Sequence, residues 1–376
     1  MTTVSLVQAH PDLDAAFARA MELAGLDDCI VPGDKVLIKP NQHGAEGYTS
    51  AAVMRAAAVW ARSNDAGEVW IGDGPNWAMT DTVAYYEQTG LSRVCDETGA
   101  RALNFHVGEY TTLRPGSRDL PDIIGFSRYI YQADVIINLP VMKTHFNTLV
   151  TLGIKNLKGC LRPIDKRTLH EMELNAALAE VARLLAPRVT ATVIDATTAY
   201  EGMGPAAGTP VEMGLLIASE DIVAADAVAC DLMGIDPAQV RLIRFCAERG
   251  VGEMDLDQIQ VVGERVIDHR RRFELPYEAI AREFPNLTLC TEHACSGCGL
   301  NLFRALDIAR SAGQGIICQT VIIGPCLATE GQTLLVGKCT KDGWADLPHV
   351  PGCPPRIEAI RAALTGIATK DDVPRS

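Results

Sequence analysis

The chain has 376 residues, of which 48% are hydrophobic and 22% charged, with 34 basic against 47 acidic side chains and a net charge of −13. Length and composition together point to a globular protein of two or three domains and exclude a disordered or fibrous one. The acidic balance argues against nucleic acid or an anionic membrane surface as partner, since both need basic surface.

The first residues, Met1 to Gln8, show no basic segment followed by an apolar run, and no apolar window reaches the length of a membrane span. No signal peptide or spanning helix is expected, and the expected location is cytoplasmic, where thiols stay reduced. Lys35 to Lys39 reads as a buried strand, Ala51 to Ser63 as a helix and Glu68 to Gly72 as a second strand. A further strand spans Ala133 to Pro140 and is followed by a loop, Glu173 to Leu185 forms a helix, and Val189 to Asp195 forms another strand. A glycine-rich loop is predicted from Glu201 to Gly208, then a strand at Leu215–Ala218 and a helix capped by Asp221. A new block begins near Asn286, with short strands at Leu287–Leu289, Thr320–Gly324 and Thr333–Gly337. Helices from Leu300 to Ala312 and from Arg356 to Leu364 complete it.

Continuous apolar strands alternating with helices predict an α/β fold with a mostly parallel sheet, covered on both faces and possibly in two lobes. The expected division is an α/β core over residues 1–285 and a small α/β, cysteine-rich domain over 286–376. Ligands of parallel sheets bind beyond the strand C-termini. There the sequence puts Lys39 and Asn41, Gly72, Asp73 and Gly74, Lys143 and His145, and Asp195.

Twelve cysteines in a reducing compartment call for burial, metal or catalysis as their explanation. Seven of them fall after residue 286. Cys295 and Cys298 form a Cys-x2-Cys pair around Gly297, with Cys339 and Cys353 as distant partners and Cys353 followed by two prolines. Such a pattern is expected to bind an iron–sulfur cluster, here a 4Fe-4S cluster, through Cys295, Cys298, Cys339 and Cys353, with Cys290 able to replace one of them. Zinc is the competitor, but only one Cys-x2-Cys knuckle is present. Cys318 reads as a core thiol, and Cys326 as either core or ligand.

Lys39, Lys143, Lys155 and Lys158, interleaved with Asn41, Asn156 and His145, form a cationic set rich in hydrogen-bond donors. The set is expected to hold a small anionic substrate, with Lys143, His145 and Lys155 closest to catalysis. Asp195 and Glu201 are further binding candidates, and His43 and His170 weaker ones. The stretches Val36 to Asn41, Ile136 to His145 and Val150 to Gly159 resemble a family called domain of unknown function 362, over roughly residues 30 to 265. That resemblance implies an iron–sulfur association, and the cysteine block resembles the cluster-binding extension of some members. The Cys-Ser-Gly-Cys and Gly-Cys-Pro-Pro segments are locally similar to cluster ligands of hydrogenase small subunits. The order of motifs is similar in layout to the nickel-dependent lactate racemases.

Full thiolate ligation suits electron transfer, so the leading expectation is an iron–sulfur oxidoreductase acting on a small anionic substrate or cofactor. An electron-donor protein is the partner such chemistry implies, and an apolar-rich α/β enzyme of this size is often a homodimer. With only three thiolates, an open iron would serve as a Lewis acid for a lyase or isomerase. A non-catalytic cluster carrier or sensor is the third expectation.

Overall fold

Strand registers and helix caps set the architecture. The computed structural model describes residues 1–376 apart from 45, 78, 80, 205–206, 291–295, 325–330, 341–345 and 368–376. Its strands, in chain order, are β1 (Thr2–Gln8), β2 (Lys35–Pro40), β3 (Glu68–Asp73), β4 (Arg101–Asn104), β5 (Tyr110–Leu113) and β6 (Ile124–Ser127). There follow β7 (Val135–Leu139), β8 (Val141–His145), β9 (Leu149–Thr151), β10 (Ala191–Met203), β11 (Ala207–Ser219) and β12 (Ile259–Gly263). The last four are β13 (Thr288–Cys290), β14 (Thr320–Ile323), β15 (Thr333–Val336) and β16 (His349–Val350).

The large sheet runs β12-β1-β11-β10-β7-β2-β3-β4, with β8 pairing β10 and β9. Its centre is parallel: β7, β2, β3 and β4 all point one way. Val36, Leu37 and Ile38 of β2 are fully buried, as befits a strand covered on both faces. Helix Ala51–Ser63 packs over it, started by Ser50, whose hydroxyl accepts from the Val53 N–H. Helix Ile222–Leu232 starts the same way at Asp221, which accepts from the Val223 and Ala224 N–H groups. Two apolar layers, on either side of this sheet, account for most of the buried side chains.

The C-terminal strands form a separate, all-parallel sheet in the order β13-β14-β15-β16. Helices Ser296–Ser311 and Ile357–Thr365 pack on it around their own apolar cluster. Phe146, which follows β8 of the large sheet, belongs to that second cluster. Among the described residues no helix is long and apolar enough to cross a membrane.

Three sequence expectations change. The described parts of the glycine-rich segment, 201–204 and 207–208, are not a loop: they continue a long antiparallel pair of strands, with Glu201 opposite Thr209 and Gly202 opposite Gly208. Pairing with a partner strand overrides the weak strand preference of glycine. The segment after Pro140 is also no loop: Lys143 and His145 lie on β8, which pairs with both β10 and β9. Finally, helix Ser296–Ser311 begins four residues earlier than its apolar periodicity indicates, so that Cys298 lies in its first turn.

Candidate functional site

At the C-terminal ends of β2, β3 and β7 the chain leaves the sheet, and β8 crosses beside them. A cavity of about 670 Å3, its open mouth included, lies there. It is lined by Lys143, Lys155, Lys158 and Lys166, by His43, His145 and His170, and by one carboxylate, Asp73. The location is the one the parallel-sheet rule gives.

Each element brings a specific group. At the end of β3, Asp73 forms a buried ion pair with Lys39 of β2 at 2.7 Å. Lys39 also donates to Asn156 Oδ1 at 2.9 Å and thereby fixes the short helix Gly153–Asn156 against the sheet. Asn156 donates in turn to Asn138 Oδ1 and to the Lys39 carbonyl. The start of that helix is held by Asp226, whose carboxylate accepts from the Gly153 and Ile154 N–H groups at 2.7 and 3.0 Å. Burial pushes the Asp226 carboxyl up to about 7.

The lysines differ in how they are partnered. Lys143 donates to Asn41 Oδ1, to the His43 carbonyl and to the Gly47 carbonyl at 2.9, 3.2 and 2.5 Å. Lys166 donates to the Gly74 and Pro75 carbonyls and meets His106 Nε2. Lys158 contacts His170 Nε2 and lies over the Trp77 ring, 5.3 Å from its centroid. Lys155 has no hydrogen-bond or ion-pair partner among the described residues and faces the cavity. Burial lowers Lys155 to about 8 and Lys166 to about 7. Lys143 and Lys158 are also held well below the usual lysine range, first by burial and then by neighbouring Lys155.

The histidines are kept neutral by the same field. His145 falls well below its usual value, chiefly through burial and then through Lys155. Its Nδ1 accepts from the Asn147 N–H at 3.0 Å, so its proton sits on Nε2. His43 and His170 are lowered by burial and by the surrounding lysines. Four lysine side chains thus share a low-dielectric cavity whose one carboxylate among the described residues, Asp73, is already matched by Lys39. An anion is the chemical complement such a cavity lacks.

Gly159 closes the cavity floor because nothing larger fits. A Cβ there would stand 2.6 Å from Lys39 Nζ and closer still to Asp73 Oδ1. We expect Gly159→Ala to separate the Lys39–Asp73 pair and destabilise the fold by about 2–4 kcal/mol, a loss that denaturant unfolding measures directly.

Of the residues singled out by sequence, Asn41, Lys143, His145, Lys155, Asn156 and Lys158 meet at the cavity, with Lys39 directly behind its wall. The weaker candidates His43 and His170 line it too. Asp195 and Glu201 are not brought there. Asp195 is buried and accepts from the Ser50 and Thr197 N–H groups and the Thr197 hydroxyl. Glu201 pairs with Arg271 and accepts from the Glu274 N–H. Asp73, placed at a strand end by the sequence without a role of its own, lines the cavity as well. Sequence reasoning missed Trp77 and Lys166. Lys166, on helix Pro163–Thr168, carried no strand-end signal.

The cysteines gather at one edge of the small sheet. Cys290 ends β13, Cys339 lies three residues beyond β15, and Cys353 three beyond β16. Since the strands are parallel, these are the same edge, and Cys298 enters it from the first turn of its helix. At Gly337, φ is +111°, and the place a Cβ would take lies 3.0 Å from Cys298 Sγ and 3.9 Å from Cys339 Sγ. The missing side chain leaves room between two thiols. The turn before Cys339 is tied to the turn before Cys353, because the Lys338 N–H donates to the Gly352 carbonyl at 2.8 Å. Cys295 and Cys326 lie outside the described residues, as does the rest of segment 291–295. Among the described residues no three His, Cys, Asp or Glu side chains are grouped closely enough to hold a metal ion. The sheet edge and the gap at Gly337 bring two soft sulfur donors, Cys298 and Cys339, to one place. Cys318 precedes β14 and so lies at the opposite edge.

The two features adjoin. Leu300, two residues after Cys298, lines the cationic cavity. A Cβ at Gly299 would lie 3.2 Å from Asn147 Oδ1 and 3.7 Å from Phe146. The His145 ring stacks on Phe146 at 4.7 Å, and Phe146 stacks on Phe303 of the same helix at 4.6 Å.

Comparison with known proteins agrees with the polar motifs. The family model "Domain of unknown function (DUF362)" matches residues 36–231. A thylakoid-associated protein of Synechocystis sp. is 33% identical over 230 residues, which make up 58% of this chain and 68% of that protein. A solved protein from Thermotoga maritima overlaps 62% of this chain and 61% of its own length, at 13% identity and a TM-score of 0.36. The chain therefore spans less than two thirds of that solved protein. The match with the family model covers the strands and turns that build the cavity, from β2 to the helix bearing Asp226, and on that ground the chain belongs to the DUF362 family.

Proposed function

We propose that this protein is an iron–sulfur oxidoreductase that holds a small anionic substrate or cofactor in the lysine-lined cavity. One observation supports the reading above the others: helix Ser296–Ser311 contributes Cys298 to the thiol edge and Leu300 to the cavity wall. A redox centre at the thiols and an anion at the lysines would then be neighbours.

The cluster would be held by Cys298, Cys339 and Cys353 together with Cys295, and Cys290 is the alternative fourth ligand. When bound, it supplies one-electron transfer. The rest falls to the side chains of this chain. Lys155 meets the anion directly, because none of the described residues claims its ammonium. Lys143 and Lys158 add hydrogen-bond donors from fixed positions. His145, protonated on Nε2, donates a hydrogen bond without adding charge. Phe146 and Leu300 add apolar surface at the cavity's outer side. Electrons would come from a separate donor protein.

Anaerobic purification with iron, zinc and acid-labile sulfide assays tests the reading, together with EPR spectra before and after dithionite. The expected protein is coloured, contains iron and sulfide in similar amounts and changes its spectrum on reduction. A colourless protein with stoichiometric zinc overturns it.

A further inference from the structure

Outward from the lysines, the cavity opens into a second, wider space of about 1370 Å3, solvent opening included. His43, Asn76, Trp77, Phe146 and Leu300 line both, so the two spaces are continuous. The character of the walls changes along the way. The inner space presents ammonium groups. The outer one is walled by Met79, Tyr85, Met203, Phe303 and Ile357. Its polar rim largely satisfies itself: Tyr85 donates to the Gly44 carbonyl at 2.7 Å, Asn301 to the Pro355 carbonyl at 2.7 Å, and Arg304 faces Asp307 at 3.7 Å.

An inorganic anion would fill the inner space and leave this apolar wall in water. An organic anion with a planar apolar body uses both. Its charged end reaches Lys155, and its body lies between Trp77 and the helix that carries Leu300 and Phe303. At the junction Phe146, stacked on His145 and on Phe303, offers a ring edge, and Trp77 offers the part of its ring that Lys158 and His170 leave uncovered. We propose that the ligand of this site is an aromatic or similarly flat apolar molecule bearing a terminal phosphate or carboxylate, bound anion first. The inference rests on the anion-binding reading of the inner cavity and adds the chemistry of everything attached to the anion.

Binding is measured on the full chain by titration calorimetry, with Trp77 fluorescence as a second readout. The probes are inorganic phosphate, 1-naphthyl phosphate and 1-naphthoate. The expected result is that 1-naphthyl phosphate or 1-naphthoate binds at least about tenfold more tightly than inorganic phosphate, from burial of the ring alone. The order of the two naphthyl probes tells phosphate from carboxylate as the terminal group. Met79→Asp sets a charge in the outer wall without replacing a lysine. In that variant the naphthyl probes should bind no more tightly than inorganic phosphate, whatever the affinity they share. If inorganic phosphate binds and the naphthyl compounds bind no better, the inference falls and the cationic cavity stands. An advantage that survives Met79→Asp also overturns it. If none of the three binds, both readings fall together.

Discussion

Lys155→Met should make the ligand-free protein more stable and, in the same molecule, remove its stabilisation by phosphate. These opposite signs come from one cause. The ammonium of Lys155 is desolvated, lacks a partner among the described residues and is lowered by burial to about 8. A buried group whose charged form is disfavoured to that extent destabilises the fold at neutral pH by up to ~3 kcal/mol, less where water still reaches it. Methionine keeps the length and removes the charge, so a gain of about 1–2 kcal/mol, or roughly 1–3 °C in melting temperature, is expected.

The dependence on pH has a definite sign. Below about 8 both folded and unfolded chains carry the proton, and the penalty is fully present. Between about 8 and the ordinary lysine value the unfolded chain holds more protons, so the native protein gains stability as pH rises. The advantage of the variant over the wild type should therefore shrink from pH 8 to pH 10. Phosphate binds the folded state only, and at a hundred times its dissociation constant stabilises by about 2.7 kcal/mol. That effect should weaken as pH rises through 7 to 8, where Lys166 and Lys155 lose their protons. Added salt should weaken it as well. Thermal melts across pH, with and without phosphate, settle the matter: a Lys155→Met protein that melts lower than the wild type, or responds to phosphate as the wild type does, sinks the anion-binding assignment.

Much of this cavity was legible in the sequence for a physical reason. Lys39, Asn41, Lys143 and His145 stand beside continuous apolar runs, and a polar residue at the end of a buried strand must be either paired or functional. Lys166 could not be found that way. It sits on a short helix with no apolar strand beside it, and only the approach of that helix to Gly74 brings its ammonium to the cavity. Asp195 shows the reverse. It stands beside the Pro140 carbonyl, as a site residue would, yet its carboxylate is consumed by the backbone of Ser50 and Thr197. Strand-end position identifies candidates, and only the hydrogen-bond partners tell a binding group from a structural one. The segment from Glu201 to Gly208 was misread because glycine spacing is a local signal, whereas the pairing of β10 with β11 is made by partners along two thirteen-residue strands.

Cys298→Ser, Cys339→Ser and Cys353→Ser should each lose most of the bound iron and sulfide, to about a tenth of the wild-type content or less, while Cys318→Ser keeps it. Serine preserves the shape of the side chain and replaces a soft thiolate by a poor ligand for iron. First-contact ligands should cost at least the ~10–100-fold in metal affinity that outer partners typically do. Cys318 makes the appropriate control because it lies at the other end of the same strands. Gly337→Ala is the sharper test, since every sulfur remains. Its Cβ would enter the space between Cys298 and Cys339 at 3.0 Å from the first sulfur, on a backbone at φ +111° that alanine rarely adopts. Iron and sulfide should fall in this variant too, and the loss should exceed any drop in melting temperature of the core around β2. If Gly337→Ala retains the cofactor in full, the gap beside that glycine is not where the thiols meet it. If instead the loss follows only Cys295 and Cys326, the centre lies among the segments outside the described residues, and Cys339 is a surface thiol.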